Sequence, residues 1–316
     1  MTNRGAETAL NRVYCAGAMT RNLDGVAMAE IGLMTEAGAL FFSNGDRPLA
    51  SATVMKRVMG YASSAGAIVS SRPDEATLSA SGVMNAGAVA ARMGLGGLSP
   101  EAEWIGLSRD ILLAESTGCT LIVDQVSTAR SLAMITEARK RGARIYATVA
   151  AHHLFFNELD VGDYLTYCKT IPPFRSEEDR QAMIDGLASG EIDAVVSAHD
   201  PQPPEEKRLP FAEAAFGAAG LETVLSALLV LVQDERLSLL EALAPVTCNP
   251  AGMVGLPQGK IALGAPADLI LFDPDKPWLC ERENLKSRSG NSPFDGRRMV
   301  GLVAWSFVAG KPVFER

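Results

Sequence analysis

The stretch Glu191 to Glu222, EIDAVVSAHDPQPPEEKRLPFAEAAFGAAGLE, decides how the rest of the chain is read. Ala194 to Ser197 is a short apolar run rich in β-branched residues, the pattern of a buried strand. It stops at Ala198-His199-Asp200-Pro201-Gln202, because proline lacks the N–H that a central strand must donate. A His and an Asp just past the C-terminal end of a buried parallel strand stand on the face where α/β barrels keep their chemistry.

Five further strand patterns precede it: Arg12 to Ala16, Ala39 to Ser43, Ala67 to Ser71, Leu121 to Val126 and Ile145 to Ala150. Between them the spacing predicts helices over Leu23 to Ala37, Ala50 to Ala65, Leu98 to Ser116, Thr128 to Gly142 and Ser176 to Leu187. Pro100 takes the favoured first helical position. Lys140-Arg141-Gly142 is a helix ending, and Glu177, Glu178 and Asp179 sit at the positive end of a helix dipole. Such alternation builds a parallel sheet from βα units. A closed barrel needs eight strands, and six precede the final helices, Gly220 to Asp234 and Ser238 to Leu243. Beyond Pro250 the pattern turns to β-rich runs: Gly259 to Leu263, Asp268 to Phe272, Met299 to Ala304 and Ser306 to Val308. The expected division is a (β/α) barrel over residues 1–250 and a small β portion over 251–316.

Composition bounds the function. Hydrophobic residues at 47% and charged residues at 21% describe an ordinary globular chain. A net charge of −8 excludes the basic footprint that nucleic acid requires. The longest apolar candidate, Val224 to Val232, is too short for a membrane span. MTNRGAETAL has no secretory core, and five scattered cysteines without a CxxC pair read as reduced thiols, so the expected compartment is the cytoplasm. Cys119 and Cys168 read as small core residues.

Several segments then resemble one family in its own order: Gly82-Val83-Met84-Asn85, Pro172 to Arg180 (PPFRSEEDR), Gly220-Leu221-Glu222-Thr223, Gly264 to Leu269 (GAPADL) and Asn291 to Gly296 (NSPFDG). The family is that of the dihydroorotases, cyclic amidohydrolases of pyrimidine synthesis within the metal-dependent amidohydrolase superfamily, and the likeness is to the longer bacterial type. The resemblance implies a TIM-like (β/α)8 barrel with a β-sandwich made from both chain ends. It also implies that this chain starts near the third barrel strand. The first strand, with its His-x-His pair and substrate-binding Arg, has no counterpart.

Hydrolysis in that superfamily uses imidazoles and carboxylates around one or two Zn²⁺ ions that activate water. Position by position, the ligands are replaced. Asn44 in Ser43-Asn44-Gly45-Asp46 stands in the family's Ser-Asp-Asp-Gly turn, and Asp46 is displaced past the glycine. Arg72 stands where the family has a His ligand, and a cation there repels a metal. Gln125 takes the next His position, and an amide oxygen is a poor zinc ligand. Ala198 falls on the catalytic Asp, while His199 aligns with the family's following His. A one-residue shift turns a strand side chain to the opposite face, so His199 and Asp200 are not simple replacements. On the substrate side, Ile171 takes a position that is commonly Asn, and Asn85, also on a family substrate position, reads as packing and helix entry.

Blander readings accompany the remaining candidates. His152 and His153, read as consecutive strand residues, face opposite ways, one packed and one exposed. Arg72 pairs with Asp74 or Glu75, or grips an anionic ligand. Asp124 pairs with a helix cation. His199-Asp200 is a loop cap or an acid/base dyad. Two functions follow. The first is a catalytically inactive dihydroorotase-like protein without a metal cofactor, acting in a homo-oligomer or hetero-complex, with aspartate transcarbamoylase as the partner the resemblance points to. The second is an active cyclic amidohydrolase with zinc on a rearranged set, His153, His199, Asp200 and Asp46. A shortened, nonfunctional gene product is a third reading.

Overall fold

The computed structural model describes residues 2–8 and 10–316. Its centre is a parallel sheet of β1 (Cys15–Ala18), β2 (Ala39–Ser43) and β3 (Ile68–Ser71). A two-residue pair, β4 (Met84–Asn85) and β5 (Gly97–Leu98), stands apart from it. The sheet resumes with β6 (Thr120–Val123), β7 (Ile145–Ala150) and β8 (Ala194–Val196). Its order is β1-β2-β3-β6-β7-β8, so strands adjoin in the sequence in which they occur, as successive βα units require. Among the described residues the sheet does not close on itself, and β1 and β8 are its edges.

All six expected strands are present, and β2 and β7 have the expected limits. Parallel strands covered on both faces are apolar throughout. Val69, Leu121, Val123, Ala147 and Val149 are accordingly buried in one continuous core. The helices close their ends with side chains: Ser51 accepts from the Val54 amide, Thr128 from Ser131 and Ser176 from Asp179. The helix expected over Leu23 to Ala37 is shorter, running only over Ile31–Glu36. Asp24 Oδ1 accepts from the Val26 amide at 2.9 Å, and Gly25 takes a φ of +75°, so this local turn displaces the first helical turns.

A second, antiparallel sheet is built from β9 (Leu269–Leu279), β10 (Arg298–Val308) and β11 (Lys311–Glu315), in the order β11-β10-β9. Gly259 to Leu263 forms no strand. Gly259 and Gly264 both have left-handed φ, and Ile261 and Leu263 project into solvent. β9 runs past its expected end through Pro274 and Pro277, which an edge strand tolerates because its outer N–H groups have no partner. The two runs expected over 299–304 and 306–308 are one strand, with register shifts between Val300 and Leu302 and between Val303 and Trp305. β11 was not expected. Ala309 and Gly310, with φ of +49° and +76°, form the two-residue turn that pairs Val308 with Lys311.

The loop before β10 ties the two sheets together. Phe294 is fully buried, its ring 4.7 Å from Phe156 and 5.1 Å from Phe155. Phe156 in turn stacks on Phe174 at 5.4 Å. Truncating a buried aromatic of this kind costs its transfer energy and leaves a cavity. Phe294→Ala is therefore expected to lower unfolding free energy by about 3–5 kcal/mol in urea titration, where a loop free of the core would change by less than about 0.5 kcal/mol.

Candidate functional site

The C-terminal ends of the parallel strands open on a polar cavity of about 170 Å³. Asp46 comes from the turn after β2, Gln125 from the end of β6, Ile171 from the loop before the helix Glu177–Ala188, and Ala198, His199 and Asp200 from the turn after β8. The fold thus brings together most of the residues singled out in the sequence. Arg72 stands beside them. It is 8% exposed, with Nη1 donating to Asp46 Oδ1 at 3.0 Å and Nη2 to the Asp46 carbonyl at 2.6 Å. Its partner is therefore not Asp74 or Glu75. Asp74 accepts from Ser79, and Glu75 caps the helix Ala76–Ser79.

The turn after β8 departs from the pleat. Ala198 has a φ of +43°, and His199 bridges to Ala218 in parallel fashion, so the period-two argument ends at Val196. Ala198, His199 and Asp200 all line the cavity. His199 and Asp200 do not pair with each other. His199 Nδ1 accepts from the Leu221 amide at 3.3 Å, and Asp200 Oδ1 accepts from Gln202 at 2.8 Å. Burial, and next the charge of Asp46, raise the Asp200 carboxyl above its ordinary value.

Gln125 likewise lies outside the strand pleat, with a φ of +58°. A left-handed backbone costs a side-chain-bearing residue about 1–2 kcal/mol. Such strain at two cavity positions is an observed outlier of the kind that gathers at functional sites. The Gln125 amide is turned to Asp124, whose carboxylate accepts from Gln125 Nε2 at 3.3 Å and from Thr148 Oγ1 at 2.9 Å. Asp124 is thus held by a hydroxyl and an amide rather than by a helix cation. Burial raises its carboxyl, opposed by those two hydrogen bonds and then by Arg72.

The histidine pair also differs from expectation. β7 ends at Ala150, and Ala151–Leu154 is a 3₁₀ turn, so His152 and His153 do not alternate. Both are buried, at 3% and 4% exposure, and both rings meet Phe174 at 5.4 Å. His153 Nε2 donates to the Pro173 carbonyl, and the Nδ1 of each ring has no partner. Burial pushes His153 down to about 4 and His152 well below the ordinary range. Of the pair, His152 lines the cavity rather than His153, the one placed in the rearranged ligand set, and Thr170 joins the lining without having been a candidate. Only the position of the loop after β7 reveals Thr170 and decides between the two histidines.

Asn85 is occupied by protein. Its Nδ2 donates to Glu158 at 2.7 Å, and its Oδ1 accepts from Arg175 at 3.1 Å. Arg175 reaches Ser127 and the Leu98 carbonyl as well, so the PPFRSEED segment holds this corner from within the core. Cys119 and Cys168 are buried, and burial pushes their thiols to about 11 and about 12. Among the described residues no three His, Cys, Asp or Glu side chains come together in a way that could hold a metal ion. At the positions where the resemblance places metal ligands stand a guanidinium, an amide and a methyl group, a donor set that does not suit zinc. Nor does any described helix have the length and apolarity to cross a membrane.

Comparison with known proteins identifies relatives of the chain and of its fold. The amidohydrolase family profile matches residues 62–313. A dihydroorotase of Syntrophus aciditrophicus is 38% identical over 312 residues, covering 99% of this chain and 73% of the relative. One of Pelotomaculum thermopropionicum is 40% identical over 312 residues, covering 98% and 73%. Among solved structures, the L-hydantoinase (dihydropyrimidinase) of Arthrobacter aurescens superposes with a TM-score of 0.84 at 26% identity, over 96% of this chain and 70% of that one.

The neutral His153 sets a pH dependence. An unfolded imidazole binds its proton near 6.5, whereas the folded one waits until about 4, so below 6.5 the unfolded state holds more protons and stability falls. Between pH 7.5 and pH 5 this group is expected to remove about 2 kcal/mol, read as a fall in the urea midpoint. His153→Gln, which keeps a donor for the Pro173 carbonyl, is expected to show a correspondingly shallower fall.

Proposed function

The chain belongs to the amidohydrolase family and, within it, to the dihydroorotase group, and from that premise we propose a dihydroorotase-like protein of pyrimidine biosynthesis that does not hydrolyse a cyclic amide. It acts in the cytoplasm as a structural or assembly partner. The observation that carries this reading is Arg72, a buried guanidinium in the mouth where a metal ligand would stand, already paired with Asp46. Gln125 and Ala198 support it, since neither the amide nor the methyl group can bind and activate a zinc-bound water.

Aspartate transcarbamoylase is the partner we infer, on the family resemblance. Two surface features favour an assembly of some kind. Among the described residues the edge strands of the parallel sheet, β1 and β8, each pair on one side only, and open edges invite pairing or cover. Leu269, Ile270 and Leu271 are exposed together, so both faces of the β9 edge present apolar side chains.

Two measurements test the reading. Protein purified without chelator, incubated with Zn²⁺ and desalted, is expected to retain far less than one zinc per chain and to leave dihydroorotate intact. Stoichiometric zinc together with ring opening would overturn it in favour of the active enzyme. Mixed with aspartate transcarbamoylase, the chain is expected to co-elute in gel filtration, and separate elution at micromolar concentration would remove that partner.

A further inference from the structure

Arg72 leaves the C-terminal end of β3 and crosses the mouth. Besides its two bonds to Asp46, its Nη1 donates to the Ile171 carbonyl at 3.3 Å. One guanidinium therefore links the turn after β2 to the loop after β7, segments far apart in sequence. The carboxylates of Asp124 and Asp200, on the ends of β6 and β8, also lie within its field, and both are drawn back toward ionisation by it. On its other side Asp74 is engaged by Ser79, and Glu103 by Ser127 and Arg175, so neither competes for it.

We propose that Arg72 is the resident cation of this mouth: its guanidinium supplies the cross-linking and charge balance that a bound metal ion would otherwise supply, and its presence is what makes the mouth unfit for metal. The proposal rests on the non-hydrolytic reading above. An arginine suits the task because it stays charged and presents several donors in a rigid planar fork, which here meet one carboxylate oxygen and two carbonyls. Arg72 is the buried partner and the Asp46 carboxylate keeps contact with solvent, so losing Asp46 leaves a buried guanidinium held by two carbonyls alone.

The test is a double-mutant cycle read by thermal unfolding. Asp46→Asn, which leaves the buried guanidinium without its charge partner, and Arg72→Met, which also gives up the two carbonyl bonds, are each expected to lower Tm by about 2–5 °C, with the double variant no lower than Arg72→Met alone. Arg72→Lys is expected to recover less than half of the loss, because a single ammonium does not reproduce the fork, whereas a side chain that merely filled space would be replaced by it. If Arg72→Met does not fold, the same cycle is run on Arg72→Lys. Zn²⁺ alone is expected to leave the wild-type Tm unchanged. Additive losses in the cycle, full recovery by lysine, or a zinc-dependent rise in wild-type Tm would each overturn the proposal. Hydrolysis of dihydroorotate by the wild type, with the cycle still coupled, would instead sink the non-hydrolytic reading and leave the Arg72–Asp46 link standing.

Discussion

The register of the parallel sheet is the constraint on which the rest depends. Ile68 to Ser71 lie opposite Thr120 to Val123, Leu121 to Val123 opposite Ile145 to Ala147, and Thr148 to Ala150 opposite Ala194 to Val196. Parallel strands in this register all end on the same side, so whatever follows each strand converges there. Arg72, Asp124, His152 and Asp200 come from four different units, and no local feature of the chain would otherwise place them within reach of one another. The mouth is a consequence of backbone pairing before it is a matter of side-chain chemistry.

Charge is then handled inside the mouth by the protein itself. Carboxylates taken from water are raised by burial and need a positive or hydrogen-bonding partner. Asp124 has a hydroxyl and an amide and Asp200 an amide, while Asp46, open to solvent, meets a guanidinium. The histidines beneath stay neutral, packed on Phe174. Below the Asp200 loop, Lys207 donates to the carbonyls of Thr166 and Ala215, and Lys169 to those of Phe211 and Ala212. Burial brings Lys207 down to about 8. The three carboxylates of the mouth thus have partners from the protein, while the Nδ1 atoms of His152 and His153 have none.

The segment before β10 couples the small sheet to that mouth. Asn291 accepts from the Gln202 amide and donates to the Gly217 carbonyl, and Ser289 donates to the Gln202 carbonyl, so the loop after β8 is held on both sides. Phe294, three residues on, enters the aromatic cluster beneath the histidines. Gly217 lies against Asp200 with no room for a Cβ, and its φ of +120° suits glycine alone. A change in the antiparallel sheet can thus reach the cavity through one short clasp.

The sequence by itself determined the six parallel strands, the order of the βα units and the family. Those depend on apolar period, turn residues and motifs that are local in the chain. It also singled out Arg72, Gln125 and Ala198, because each can be seen residue by residue. It misjudged the partner of Arg72, the backbone at Gln125 and Ala198, and the setting of His152 and His153. Alternation rules assume a pleat that continues, and here β6, β7 and β8 stop just before these residues. Pro274 and Pro277 inside β9 were likewise readable only once β9 was known to be an edge. Which carboxylate meets which cation is decided by strands and loops distant along the chain, and only the tertiary structure fixes those distances.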